Sequence, residues 1–471
     1  MDGAGGRRLQ GGCGTRPAAP RDRGAGGSHS GTATPRAPRM EGSTSRRRPS
    51  AAKSPPAGPA ASGEKKLPAP RGETAAGRVP AARRRAAVPD GAVSAPGAVL
   101  RSPSVTGAPR LREVLWQLTL GRQDVSVASD LVNKVVSHLI QALRSNGGSF
   151  SSIERMGTGS YYEHVKISEP NEFDIMLLMR IARLQLDECD DTGAYYYLTF
   201  KRNPKERYLL KFLDEEGKLS AFKMLQELRE IIKQEVKNIK DVEVTVQRKK
   251  AGSPAITLQI KNPPAADISV DIILTLEVQQ SWPPSTQDGL RIEPWLGRKV
   301  RRQFRSESIY LVAKQNKKEK VLRGNTWRLS FSHIEKAMLN NHGSRKTCCE
   351  SDGLKCCRKS CLKLLKYLLE QLKMKYPKKL EKFCSYHVKT AFFHSCVIWP
   401  NDKDWHLGDL DYCFQKFLGY FLDCLQKSQL PHFFIPKYNL LSLEDKASND
   451  FLSRQINNEL NNGFPIFQER F

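Results

Sequence analysis

Gly157-Thr158-Gly159-Ser160 and, after eleven residues, Glu172-Phe173-Asp174-Ile175-Met176-Leu177-Leu178-Met179 decide how this 471-residue chain folds. The second stretch reads as a strand, Phe173 to Ile181, because its apolar run, Ile175 to Met179, is short. Side chains alternate across a strand, so Glu172 and Asp174 leave one face while Phe173 and Ile175 enter the core. Two ionised carboxylates so close repel each other unless a cation lies between them. Mg²⁺ takes oxygen ligands and completes its shell with substrate phosphates, which makes it the natural occupant. In Ile268-Ser269-Val270-Asp271-Ile272-Ile273-Leu274 the same alternation sets Asp271 opposite Val270 and Ile272. If the two strands are neighbours, Glu172, Asp174 and Asp271 converge, enough to hold two metals for an in-line attack on phosphorus. Gly159 lets the backbone approach a triphosphate closely, and Ser160 adds a hydroxyl donor.

Working outward, further strands are expected at Ala194 to Phe200, Val242 to Val246 and Ala255 to Ile260, with a helix over about Leu219 to Val236. Upstream, Arg112 to Leu120 and Leu131 to Leu143 read as parts of one long bracing helix, either continuous or broken. Its apolar stripe is Val132, Val135, Val136, Leu139, Ile140 and Leu143, and Asn146-Gly147-Gly148 ends it. From Trp327 onward the pattern reads as helical, notably Cys361 to Lys373, Tyr386 to His394 and Leu410 to Leu425, so the second lobe should be a bundle. The expected fold class is α+β, a bilobal arrangement of a mixed twisted sheet with flanking helices and a helical C-terminal lobe. The expected division is 1–110 as a tail, 111–275 as the catalytic core and 276–471 as the second lobe.

The tail is a different polymer from the body. Residues 1–110 hold no Phe, Tyr, Trp or Ile and only three Leu, too little apolar surface to offset chain entropy, so disorder is expected. They carry 20 Lys plus Arg against 6 Asp plus Glu, a net of +14, which leaves +13 of the chain's +27 for the body. Two basic parts in series point to a polyanionic partner, nucleic acid first and an anionic membrane surface for the tail second. No window resembles a membrane helix, and the basic N-terminus has no apolar core for a signal peptide, so an intracellular protein is expected.

Five of the eleven cysteines fall between Cys348 and Cys361, just after His342. In a reducing compartment one imidazole and three thiolates make a closed structural zinc site, although spacing does not say which three cysteines bind. Around them lie Lys336, Arg345, Lys346, Lys355, Arg358, Lys359 and Lys363. Lys359 and Lys363 stand one helical turn apart and can meet successive phosphates without reading bases, which predicts sequence-independent, salt-sensitive binding. A second basic stretch, Lys201-Arg202-Asn203-Pro204-Lys205, follows the strand ending at Phe200.

The order of these elements resembles the nucleotidyltransferase superfamily of DNA polymerase beta, poly(A) polymerases and oligoadenylate synthetases. Within it, Gly159 to Ser168, Asn171-Glu172-Phe173-Asp174, Ile268-Ser269-Val270-Asp271, Thr326 to Lys336 and the cysteine cluster resemble the catalytic segments of the mammalian cyclic GMP-AMP synthase family, over roughly residues 111–471. The resemblance implies DNA-activated synthesis of a 2′,3′-linked cyclic dinucleotide from ATP and GTP, with Mg²⁺ (or Mn²⁺) on Glu172, Asp174 and Asp271. It implies nucleotide contacts at Gly159, Ser160, Arg328, Ser330, Ser332, Glu335, Lys366, Ser385 and Tyr386. It selects His342, Cys348, Cys349 and Cys356 for zinc, in a loop over 342–356. It implies double-stranded DNA on Arg122, Lys201, Lys336, Lys346, Lys355, Lys359 and Lys363, a homodimer on that DNA, and the acidic face of a nucleosome on Arg183 and Arg202. Residence in cytosol and nucleus goes with it. Two departures stand out: Thr119, where some members carry Lys, and a longer stretch at Asn262 to Asp267. An RNA-activated oligoadenylate synthetase shares the carboxylates but not the cysteine cluster, and a non-catalytic chromatin protein would not need three converging acids.

Overall fold

The computed structural model describes residues 108–471 apart from 120, 146, 168–170, 203, 205–206, 250–251, 317–323, 351–352, 354 and 469–471. The expected tail up to residue 107, Ser168 and Lys205 therefore lie outside the described residues, and residues 108–110, expected to be tail, open the first helix instead. Of the two forms left open for the bracing helix the broken one is found, as α1 (Ala108–Gln117) and α2 (Arg122–Ser145). All six residues of the expected stripe on α2 are buried, from Val132 and Val135 at 0 % to Ile140 at 8 % exposed. The helix stops at Ser145, and Gly147 takes a positive φ of 56°, which a residue without Cβ adopts freely. Thr119 is exposed and turns its hydroxyl back on the Leu115 carbonyl at 3.0 Å, closing the end of α1.

The strands are β1 (Glu154–Thr158), β2 (Glu172–Arg180), β3 (Leu184–Glu188), β4 (Tyr195–Phe200), β5 (Val244–Val246), β6 (Ala255–Ile260), β7 (Ile268–Val278), β8 (Ile309–Val312) and β9 (Trp327–Ser330). Among the described residues they form one mixed sheet in the order β1-β2-β7-β8-β9-β4-β3, with β6 also on β7 and β5 on β6. The β2–β7 pair is parallel, and β7 forks, pairing β6 along its first half and β8 along its second. The longer Asn262 to Asp267 stretch leaves the β6–β7 register unbroken from Ile260↔Ile268 to Ala255↔Ile273.

Two expectations need correction. Trp327 to Ser330 is a strand and not the start of the helical region, because it completes the hydrogen bonds of β8 and β4. The sheet therefore runs past residue 275, and β1, β3 and β8 were not foreseen either. Those strands have five residues or fewer, too few for alternation to stand out from chance.

The other helices are α3 (Gly159–Tyr162), α4 (Ala221–Glu235), α5 (Glu293–Leu296), α6 (Arg298–Arg305), α7 (Ser332–Asn340), α8 (Arg358–Lys375), α9 (Ser385–Ile398), α10 (Leu410–Lys427) and α11 (Lys446–Asn461). Helices α8 to α11 pack on one another as the expected bundle, while α2 and α4 cover the sheet. Leu362, Leu365, Phe392, Phe417 and Phe421 are 0 % exposed at its centre. On the other face of the sheet a small group, Met176, Leu178, Tyr310 and Val312, is buried below the carboxylate end of β2.

Candidate active site

Asp174 and Asp271 come together as the alternation requires, while Glu172, two residues earlier on the same strand face, pairs with Lys166. In the parallel β2–β7 register Asp174 lies directly beside Asp271, and the row continues to Thr158 on β1 and Thr257 on β6. Their chain neighbours Phe173, Ile175, Val270 and Ile272 are all at most 1 % exposed, which fixes the facing of the acids. Burial, then the charges of Asp271, Glu163 and Glu172, push Asp174 up to about 6. Acids this crowded raise one another's proton affinity unless a cation is present. Thr257 donates its hydroxyl to Asp271 Oδ1 at 2.6 Å, and Lys166, 5 % exposed, donates to Glu172. The oxygen-only donor set on rigid strands fits a hard divalent cation.

Gly159 has a φ of 76°, and a Cβ built there would lie 1.9 Å from Asp174 Oδ2. The glycine thus lets the turn sit directly on the carboxylates. Helix α3 is held by the ring of Tyr161 on Phe173, centroids 4.3 Å apart, and by the edge of Tyr162 on Tyr161 at 5.0 Å. His164, just beyond, has a left-handed φ of 59°, strained for a residue with a side chain.

The other nucleotide-site candidates gather around Tyr386 on α9. Its hydroxyl donates to Glu335 Oε1 at 2.9 Å and accepts from His432 Nε2 at 2.9 Å. Burial pushes His432 down to about 4, which keeps the ring neutral, so Nδ1 can accept the Phe434 and Ile435 amides. Arg328 on β9 stands close enough for its charge to act on both Tyr386 and His432. Ser330 and Ser332 share a hydrogen bond at 3.0 Å, and Ser385 is exposed at the start of α9. Lys366 on α8 donates to the Val165 carbonyl at 2.7 Å, and burial pushes it down to about 8.

Sequence reasoning missed the ion pair that joins these groups to the turn. Lys389 Nζ lies 2.6 Å from Glu163 Oε1 and 2.7 Å from Glu335 Oε2. Burial alone would raise Glu335, but Lys389 holds it below its ordinary value, and the two acids in turn raise Lys389. Lys389 follows Tyr386 by three residues on α9, the same helix face, and that spacing was the available signal.

The cysteine candidates also come together. The ligand atoms of His342, Cys348, Cys349 and Cys356 all lie within 4.8 Å of one another. His342 Nδ1 faces the Leu339 carbonyl at 3.1 Å, while its buried Nε2 has no hydrogen-bond partner. An imidazole anchored through one nitrogen with the other bare and turned on three thiols fits zinc. Cys357 and Cys361 are fully buried, their sulfurs 3.8 Å apart and outside this group.

The basic candidates divide. Lys346, Lys355, Lys201, Arg202 and Arg183 are exposed, and the Arg122 side chain lies outside the described residues. Lys336 donates to the Gly157 carbonyl at 2.9 Å and Lys359 to that of Glu163 at 3.0 Å, so both touch the segment that carries Gly159 and Ser160. Burial lowers Lys359 and Lys363, which stay half-buried one turn apart on α8. Arg358 is a correction: grouped above with the phosphate-facing charges, it is 0 % exposed and pairs with Asp402 at 2.7 Å. A buried guanidinium needs a paired carboxylate, and Asp402 lies too far along the chain for sequence to reveal it.

No described helix is long and apolar enough to cross a membrane. Residues 161–341 match the model of the Mab-21 protein nucleotidyltransferase domain and residues 357–458 that of the Mab-21 protein HhH/H2TH-like domain. The chain is 52% identical to the cyclic GMP-AMP synthase of Mus musculus over 82% of its own length and 75% of the relative's. It is 53% identical to that of Sus scrofa over 78% and 74%. A cyclic GMP-AMP synthase-like receptor of Magallana gigas is 26% identical over 71% and 55%. With its carboxylates, turn and cysteine cluster in these positions, the chain belongs to the cyclic GMP-AMP synthase family of nucleotidyltransferases.

Proposed function

We propose that the chain is a cyclic GMP-AMP synthase activated by double-stranded DNA, condensing ATP and GTP into a 2′,3′-linked cyclic dinucleotide with release of pyrophosphate at each of two steps. The observation that carries this reading is the row Thr158, Asp174, Asp271, Thr257 beneath the Gly159 turn, in a chain about half identical to curated synthases. Glu172, Asp174 and Asp271 would hold two Mg²⁺, or Mn²⁺; when bound, the metals stabilise charge on the attacking and leaving oxygens. Gly159 and Ser160 bind the donor triphosphate with Lys366 and Ser385 near it. Arg328 offers donors to the guanine acceptors, aided by Ser330 and Ser332, and Tyr386, fixed by Glu335, stacks on a base. Asp271 accepts the proton of the attacking hydroxyl.

Activation follows from the lysines that touch the turn. Phosphates drawn to Lys336, Lys359, Lys363, Lys346, Lys355 and Arg122 compete for the two ammonium groups that now hold the Gly157 and Glu163 carbonyls, those of Lys336 and Lys359, and so shift the strained segment toward its working position. Zinc on His342, Cys348, Cys349 and Cys356 keeps the loop rigid beside that DNA. A second protomer shares the duplex, Lys201 serves a further DNA surface, and exposed Arg183 and Arg202 suit a nucleosome's acidic face. The protein works in cytosol and nucleus, with the basic tail adding affinity for polyanions, anionic membranes included.

The test is product identification. Full-length protein is incubated with ATP, GTP and Mg²⁺, with and without long double-stranded DNA, and products are assigned by mass spectrometry and linkage-specific nucleases. A mixed cyclic dinucleotide that needs DNA is expected. Linear oligoadenylate would replace this reading with that of an RNA-activated synthetase, and tight DNA binding without product would leave a chromatin protein.

A further inference from the structure

The cysteine loop leaves the body at α7 and returns at α8, and both of its legs are fastened to one short segment far away in sequence. On the outgoing leg the Ser344 and Arg345 amides donate to the two oxygens of Asp402, at 2.8 and 3.0 Å. On the returning leg Arg358, two residues after Cys356, donates to Asp402 at 2.7 Å and to the Pro400 carbonyl at 3.0 Å. The backbone joins in: Cys356 bridges to His406, Cys357 N donates to the Trp405 carbonyl at 2.8 Å and Leu407 N to that of Lys355 at 3.1 Å. Asp402 is 6 % exposed and Arg358 0 %. A carboxylate placed so deep takes its hydrogen bonds from these three partners, none of which touches the carboxylate site of the sheet.

We propose that Asp402 is a positioning residue for the cysteine loop: by clamping both legs it holds the His342 and Cys348 side of the ligand set against the Cys356 side before metal arrives, and so raises zinc affinity. Without the clamp the metal must supply the ordering of the loop as well as its own coordination, and part of its binding free energy goes into that ordering. The idea rests on the zinc reading of the loop, which the same experiment tests separately.

Asp402→Asn alone strands a buried guanidinium and can unfold the chain for that reason. The deciding variant is therefore Asp402→Asn with Arg358→Met, since neutralising both partners of a buried pair is commonly tolerated. Zinc affinity of the full-length protein is measured by competition with a chromophoric chelator, and melting is followed with and without that chelator. The parent should bind one zinc, and a parent that binds none refutes the zinc reading itself. The double variant should bind zinc about tenfold or more weakly, the scale of lost supporting contacts at metal sites. Its zinc-dependent rise in Tm should shrink while metal-free melting changes little. Unchanged zinc affinity overturns the proposal, as does a double variant that fails to fold, because the pair would then hold the lobe and not the loop.

Discussion

The acidic row on the sheet and the cysteine loop are both gathered for cations, yet they are built by opposite means. The acids stand on adjacent strands, where a two-residue period and a parallel register bring Asp174 beside Asp271 whatever lies beyond the sheet. The cysteines stand on a loop with little regular structure, and what sets their separation is a clamp from residues 400–407. One site is fixed by backbone pairing and the other by tertiary contact. Chemistry that needs fixed oxygen positions suits the first, and a rigid protrusion for a long partner suits the second.

Breaking the first region should have the larger effect. Gly159→Ala puts a methyl group against Asp174 and demands a left-handed φ from alanine. Turnover should fall about 100-fold, the cost of displacing reacting groups by about 1 Å, with DNA affinity unchanged in a gel-shift assay. If turnover stays within a few-fold of the parent, the turn does not sit on the acids during catalysis.

Breaking the second should cost less and in another quantity. His342→Ala, or zinc removal by a chelator, should lower DNA-stimulated synthesis by about 10-fold while the weak DNA-independent rate persists. Equal loss of both rates would mean that the loop supports the catalytic sheet directly.

The smallest effect sharpens the border between the regions. Lys366, pushed down to about 8 by burial, is charged at pH 7 and loses its proton as pH rises through 8. If it binds the donor phosphates, KM for ATP should rise several-fold between pH 7 and 9, and Lys366→Arg should remove that limb, since guanidinium stays charged throughout. A flat KM profile would take Lys366 out of the nucleotide site.

The same contrast explains what the sequence could tell. The acids, the α2 stripe and the end of that helix at Ser145 were legible because each follows from a local period or a glycine. Short strands such as Ile309–Val312 and Trp327–Ser330 were not, because they are strands only through their partners on β7 and β4. For the cysteines, spacing left five candidates, and the choice of three came from resemblance; in space, four ligand atoms meet and the Cys357 and Cys361 thiols are set apart in the core. Arg358 was misread as a surface charge and Lys389 was overlooked because their partners Asp402, Glu163 and Glu335 lie 44 to 226 residues away.

The central claim is that the acidic row performs the chemistry while the loop and its lysines recognise DNA. Glu172→Ala combined with Asp174→Ala tests it most directly, by measuring synthesis and DNA affinity on the same preparation of full-length protein. The account predicts no detectable cyclic product and a dissociation constant for long duplex DNA equal to the parent's. Loss of DNA binding in that variant, or residual product near the parental rate, would contradict it.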